Sequence, residues 1–430
     1  MSHCHRKPLL VLAAGCVASF LLACGGGASW QPETVTVTVV GSNAVSHWNE
    51  IATATINVPP SATGTPEEQR PNSAVDLATV HVAIYDAVIA IAGTHRPYAI
   101  TPLTLASGAS QEAAAAAAAY RVLLGLFPSR TAQYQAAYND FLATLPNGNA
   151  KAQGLAVGAE VAAGILALRA NDGRSVVLAP YEPGTAPGQF RGVNPIGRPN
   201  AFIKPFSLQN LSQFRAPGPP ALDGQDYAAD LNETKALGSA TSVLRTPEQT
   251  EIARFYTEAP ATQQPRNMRV FAMTDRSLAE HARLMAMVWV TQADATNACF
   301  ESKYHYEAWR PTSAITLADT DGNAATVVDA AWGPVAPTPN HPEYPAAHSC
   351  VTTAMAEIVA RYYGTVLVEF DFTSTVTGTT RHFPNTLALS SEVDFARIVG
   401  GMHFRTSTVD GAQLGRSVAH WVFGHHFQRR

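Results

Sequence analysis

The chain has few cysteines, no excess of positive charge and, beyond its N-terminus, no long charge-free apolar run. Its five cysteines are at 4, 16, 24, 299 and 350. Only Cys299 and Cys350 follow residue 24, so the body can hold at most one disulfide; a bonded pair and two buried thiols both remain open. Lys and Arg total 29 against 33 Asp and Glu, a formal net charge of -4. That balance excludes nucleic-acid binding by bulk electrostatics, so basic residues matter here by position. Without a long apolar run, no spanning helix is expected after residue 23. Calcium-loop spacing is also missing: Asp319, Asp321 and Gly322 read as a turn.

The N-terminus is a targeting segment. His5, Arg6 and Lys7 precede an apolar run from 8 to 23, then Cys24 and three glycines. Leu21-Leu22-Ala23-Cys24 resembles the lipobox of bacterial lipoproteins. The resemblance implies that 1–23 is a signal peptide and that Cys24 carries lipid. The body would then be tethered to a membrane of the bacterial envelope, facing the periplasm. A plain secretory signal and a short anchor helix are the alternatives. Residues 24–71 read as a linker and N-terminal extension. Within them, the Thr/Val alternation of 34–40 suggests an edge strand or an extended tail, and 45–54 a helix.

Residues 72–430 read as a single helical domain, and 430 residues suffice for one large domain or two ordinary ones. Val75, Ala78, Val82, Tyr85, Ile89 and Ala92 step by three and four, and Gly93 closes the run. His81 and Asp86 fall off that stripe and are expected at the surface or locally paired. Helices are expected at 111–126 and 131–145, joined at Pro128, and at 150–171, 226–237, 247–256 and 273–298. The alanine-rich run at 111–126 suggests close helix packing. Prolines recur from 178 to 224, a long loop read as a lid over the functional site; a disordered surface excursion is the alternative. Residues 366–381 read as a β-hairpin turning at Thr377-Gly378-Thr379, and 425–430 as a solvated tail. The fold class is mainly α, a helical bundle with a small inserted β-hairpin.

Three stretches carry chemistry. Lys303 and Arg310 are seven residues apart, so a helix would put both on one face, with Pro311 stopping it. Together they suit a multi-oxygen anion; a solvated face with Lys303 meeting Glu307 is the alternative. Pro345-Ala346-Ala347-His348 then opens a helical series ending at Gly364, which sets His348 among free N–H groups. A histidine there can act as acid or base near neutral pH. Ser391 and Asp394 look like a capping box before Arg397. Gly400-Gly401 ends that helix, and Ser407 with Asp410 suggests a second box just after His403.

These residues resemble the signature of the superfamily shared by vanadium-dependent haloperoxidases and type-2 phosphatidic acid phosphatases. That signature reads Lys-x6-Arg-Pro, then Pro-Ser-Gly-His, then Ser-Arg-x5-His-x3-Asp, and the match covers about the last third of the chain. The resemblance implies a helical bundle of the vanadium haloperoxidase/acid phosphatase type. It implies vanadate as cofactor, or phosphate in the same place, bound by Lys303, Arg310, Arg397 and the Ala347 amide. His348 would be the acid–base residue. His403 would be the apical vanadate ligand or, in a phosphatase, the nucleophile. Lys303 would polarise peroxide, and the partners would be hydrogen peroxide, a halide and an organic acceptor.

The sequence departs from the signature in three places. Ala346 and Ala396 replace serines, and Ser407 stands where an orienting aspartate is usual. Asp410 is a possible substitute, or simply a helix cap. Glu258 is a further candidate carboxylate for an active-site arginine. His341 lies seven residues before His348, where bromide-oxidising members often have His and chloride-oxidising ones Phe. It leans toward bromide or iodide; a loop histidine remote from the site is the alternative. An acid phosphatase and a non-catalytic oxyanion-binding lipoprotein are the competing functions.

Overall fold

The structure, a computed structural model, describes residues 33–56, 73–104 and 107–430. The expectations for the signal peptide and for Cys24 lie outside the described residues. The helices are α1 (Ala44–Ile56), α2 (Ser73–Ala92), α3 (Gln111–Leu126), α4 (Thr131–Ala143), α5 (Asn149–Arg169), α6 (Gln225–Gly238), α7 (Pro247–Phe255), α8 (Pro260–Met268), α9 (Leu278–Tyr306), α10 (Pro311–Thr316), α11 (Ala347–Tyr363), α12 (Thr386–Val399) and α13 (Arg405–His425). Three short strands, β1 (Val35–Thr36), β2 (Val368–Thr373) and β3 (Thr380–Phe383), make one sheet. The hairpin forms as expected between the second and third motif stretches. β1 joins its edge in parallel, Val35 opposite Val368.

α2 is the core helix, and it packs on α3 and α9. Its composition suits a membrane span, but its apolar window is 83% buried inside the protein. Burial on every side overturns the surface expectation for His81 and Asp86, which are both 0% exposed. His81 Nε2 bonds Asn49 Oδ1 at 3.0 Å. Asp86 accepts the amides of Tyr98, Ala99 and Ile100, which pins the turn after α2. Asp294 on α9 does the same for Phe206, Ser207 and Leu208. A buried carboxylate persists because it collects such donors.

Small residues set the helix spacings. A Cβ at Gly154 or Gly158 of α5 would strike the carbonyls of Ser110 and Ala114, so α5 lies directly on the alanine face of α3. A Cβ at Gly415 of α13 would likewise meet Cys350 O on α11. That second contact sets α11, which carries His348, against α13, which begins beside His403.

The 178–224 stretch has one 3₁₀ turn, Arg198–Phe202. It is tied down elsewhere: Trp309 N donates to Gly188 O, Phe190 N to Glu307 O and Ile196 N to Asn340 O. The loop thus lies along the two segments that flank Arg310 and His341. The tail is solvated at His425, Arg429 and Arg430 but anchored between them. Phe427 is buried, its ring 5.0 Å from that of Tyr85, and Arg96 N donates to Gln428 O.

Candidate oxyanion site

Lys303 lies in the last turn of α9, which ends because Glu307 adopts a left-handed φ of 48°. Arg310 is therefore outside that helix, and Pro311 starts α10 where it was expected to stop α9. The shared-face expectation fails, yet the two cations still converge through the fold. Lys303 Nζ donates to Pro342 O at 2.8 Å and Glu343 O at 2.9 Å, not to Glu307. Arg310 donates from Nε to His341 O and from Nη1 to Met402 O, and its Nη2 lies 2.9 Å from His341 Nδ1.

Arg397 comes from the last turn of α12. The cap of that helix is Asn385, so Ser391 and Asp394 lie inside it and form no capping box. Arg397 donates to Tyr256 O and to the thioether of Met402, each at 2.9 Å. Arg310 and Arg397 thus meet at one residue, Met402. Gly400 caps α12 and Gly401, at φ 75°, turns the chain. α13 then starts at Arg405 without a side-chain cap. Asp410 instead accepts from Tyr344 Oη at 2.6 Å, so it neither caps nor orients His403.

His403 is held by a residue that the motif reading passed over. Its Nδ1 lies 2.9 Å from Glu343 Oε1, and that oxygen also accepts Phe404 N at 3.0 Å. A carboxylate accepts and a guanidinium donates. The bonds therefore assign the proton to Nδ1 and a lone pair to Nε2, which faces Arg310 Nη1 at 3.0 Å. His348 follows the same logic. Its ring bonds the backbone carbonyl of Glu258, and its Nε2 is buried without a partner. By elimination Nδ1 is the donor, and Nε2 is free to take a proton. The Glu258 carboxylate goes to Arg266 and Thr375 N, so it serves no active-site arginine.

Ala346 is the N-cap of α11, and Cys350 N makes the bond back to Ala346 O. The amides of Ala347, His348 and Ser349 form the first turn, where helix geometry leaves N–H groups for an anion. Cys299 and Cys350 are both free and buried.

Electrostatics decide what can occupy this place. Lys303, Arg310 and Arg397 are all buried, and one carboxylate, Glu343, is buried among them. Burial, then repulsion from Arg310, pushes Arg397 down to about 9; burial pushes Arg310 down to about 10. Burial lowers Lys303 too and raises Glu343. His341, His348 and His403 sit well below the usual histidine range, chiefly from burial and then from repulsion by the same cations. Arg397 Nε has no partner. Such a cluster lacks acceptors and negative charge, which a tetrahedral oxyanion supplies. The residues fit vanadate or phosphate.

His341 is buried against Arg310, and its ring lies 5.1 Å from that of Phe300. The alternative of a loop histidine remote from the site therefore does not hold. On the other side of Glu343, a cavity of about 290 Å³ is bordered by Gly188, Leu222, Trp309, Phe404, Glu343 and Ser407. The long loop contributes part of that wall.

Residues 283–429 match the family model for the VCPO second helical-bundle domain. The fold is similar to that of the first bacterial vanadium-dependent iodoperoxidase, with TM-score 0.71 and 21% identity, over 90% of this chain and 95% of that one. It is also similar to a bacterial vanadium-dependent chloroperoxidase in its holo form, with TM-score 0.69 and 17% identity over 90% and 98%. The apo form of such an enzyme gives 0.65 and 15% over 87% and 96%. No curated protein sequence matches the chain.

Proposed function

We propose, for a chain built on the vanadium haloperoxidase fold, that it is an exported vanadate-dependent haloperoxidase. It oxidises halide with hydrogen peroxide and a proton to hypohalous acid and water, and the hypohalous acid halogenates an organic acceptor. One observation carries the reading: Arg397 Nε and His348 Nε2 are buried without partners in a cluster of three cations, Lys303, Arg310 and Arg397, that one carboxylate cannot neutralise.

Lys303, Arg310, Arg397 and the first-turn amides of α11 hold the charge of the oxyanion. His403 Nε2, which here accepts from Arg310 Nη1, would be the single imidazole ligand once that bond is given up to the oxyanion. Bound vanadate supplies a Lewis-acidic centre that activates peroxide toward two-electron oxidation. His348 Nε2 takes the proton that hydrogen peroxide must lose, because its lone pair is free at neutral pH. Lys303 keeps one N–H beyond its two carbonyl bonds, and that donor would serve developing negative charge. Ala346 supplies no hydroxyl, so backbone and guanidinium donors do that work. His341, held against Arg310 and Phe300, favours bromide or iodide.

The test is bromination of a phenolic dye by purified protein, with and without orthovanadate. Vanadate-dependent turnover is expected; none at any halide would sink the reading. Cys24 and its lipobox support tethering in the cell envelope. Cys24→Ala should move the protein from the membrane fraction to the soluble one.

A phosphatase reading is favoured by a specific contact. The His403 bond to Glu343 gives a nucleophilic imidazole the orienting carboxylate that position 407 lacks. Hydrolysis of a phosphate monoester, blocked by vanadate and absent in His403→Ala, would select it. Oxyanion binding with neither activity would select the non-catalytic lipoprotein.

A further inference from the structure

We infer that Glu343 is the positioning residue of the site, a two-sided clamp that fixes His403 through its side chain and Lys303 through its backbone. The inference rests on the reading that His403 Nε2 meets the oxyanion. Glu343 stands in the turn before α11, and its amide is anchored to Ala308 O at 2.9 Å. From there its carbonyl takes Lys303 Nζ at 2.9 Å, while Oε1 takes His403 Nδ1 and Phe404 N. One residue therefore ties the end of α9 to the turn between α12 and α13.

No other carboxylate bonds His403 among the described residues. A buried carboxylate is costly unless its acceptors are filled. Glu343 is 2% exposed, and its hydrogen bonds go to His403, Phe404 and the Ser407 hydroxyl. The donor set thus belongs to the His403 turn. The consequence is chemical. While Glu343 holds the Nδ1 proton, Nε2 keeps its lone pair toward Arg310. Without Glu343, the ring is free to rotate or to exchange tautomers, and Nε2 is no longer fixed.

The geometry also specifies a rescue. Ser407 Oγ already lies 3.5 Å from His403 Nδ1. Ser407 borders the 290 Å³ cavity as well, so the longer aspartate side chain has room there. A carboxylate at 407 should take over the bond that Glu343 makes.

The experiment compares wild type, Glu343→Gln, Glu343→Ala and the double variant Glu343→Ala/Ser407→Asp. Orthovanadate and inorganic phosphate affinities are measured by calorimetry. The His403 ring is followed by 15N–1H NMR of the anion-free protein. Loss of the carboxylate should weaken orthovanadate binding by about 10–100-fold and remove or shift the His403 Nδ1–H resonance. Ser407→Asp should restore both. A role confined to stability would not be rescued in this way, because the new carboxylate restores only the imidazole bond. Native near-UV dichroism of Glu343→Gln secures the comparison if Glu343→Ala fails to fold. Wild-type affinity in a folded Glu343 variant, or an unmoved Nδ1–H resonance, overturns the inference. If wild type binds no oxyanion, the proposed function fails, and the anion-free NMR arm still decides the clamp.

Discussion

His403 Nδ1 and Glu343 Oε1 lie 2.9 Å apart across 60 residues of sequence. That bond sets the direction of the Nε2 lone pair and places one negative charge among three buried cations. On the proposed function an oxyanion neutralises the remaining positive charge, which is unfavourable for the empty protein.

Arg397→Met separates those two effects. It removes a buried guanidinium whose partners are a carbonyl and a thioether. Oxyanion affinity should fall by at least about 30-fold, since charge-assisted bonds to a buried anion are worth about 2–5 kcal/mol. Stability without anions, measured by urea unfolding, should hold or rise. In wild type, vanadate at 100 times its Kd should add about 2.7 kcal/mol, a gain that Arg397→Met loses.

His348→Ala should act on turnover more than on binding. On the proposed function its free Nε2 accepts the proton, and removing a positioned acid–base group lowers kcat by about 10²–10⁴-fold. Vanadate affinity should change by less than about tenfold, because the cations and His403 remain. Steady-state kinetics and calorimetry on one preparation read both quantities.

His81 makes an acid-sensitive core. Burial holds it at about 3, so the folded protein excludes a proton that the unfolded chain takes up below about pH 6.5. The sign follows: stability is intact above 6.5 and is lost as pH falls toward the folded value. Between pH 7 and pH 5 this one group should lower unfolding free energy by about 2 kcal/mol. His81→Gln keeps a donor for Asn49 and does not titrate. Its stability relative to wild type should therefore improve by that amount at pH 5, as read by denaturant titration at the two pH values.

Two glycines distinguish scaffold from site. Gly158→Val pushes a side chain into the Ala114 carbonyl of α3. It should destabilise by about 1–3 kcal/mol and leave anion affinity unchanged. Gly415→Val pushes α13 from Cys350 on α11, and so moves His403 relative to His348. That variant should lose affinity as well as stability. Thermal unfolding with and without phosphate separates the two.

The readable parts of the site were those written locally. The Gly364 helix stop, the His348 position at the start of α11 and the hairpin all follow from neighbours in sequence, and all are in the structure. Arg310 was misplaced because a single left-handed residue, Glu307, ended α9 earlier than the spacing implied. The expected caps at Ser391 and Ser407 fail because Asn385 caps α12 and Phe404 is the N-cap of α13. The surface expectation for His81 fails because α2 is enclosed on all sides, so its apolar stripe marks no exposed face. The solvated-tail expectation fails at Phe427, which finds its aromatic partner, Tyr85, on a helix far away in sequence.

By itself, the sequence determined which cations and imidazoles were available, their order, and the mainly helical form that carries them, since periodicity and turn residues act over a few positions. Tertiary structure alone decided that Arg310 and Arg397 meet at Met402, that Glu343 orients His403, and that His348 Nε2 is left free. Those outcomes depend on which distant carbonyls and carboxylates satisfy each buried donor, and that competition is settled only when the helices have packed.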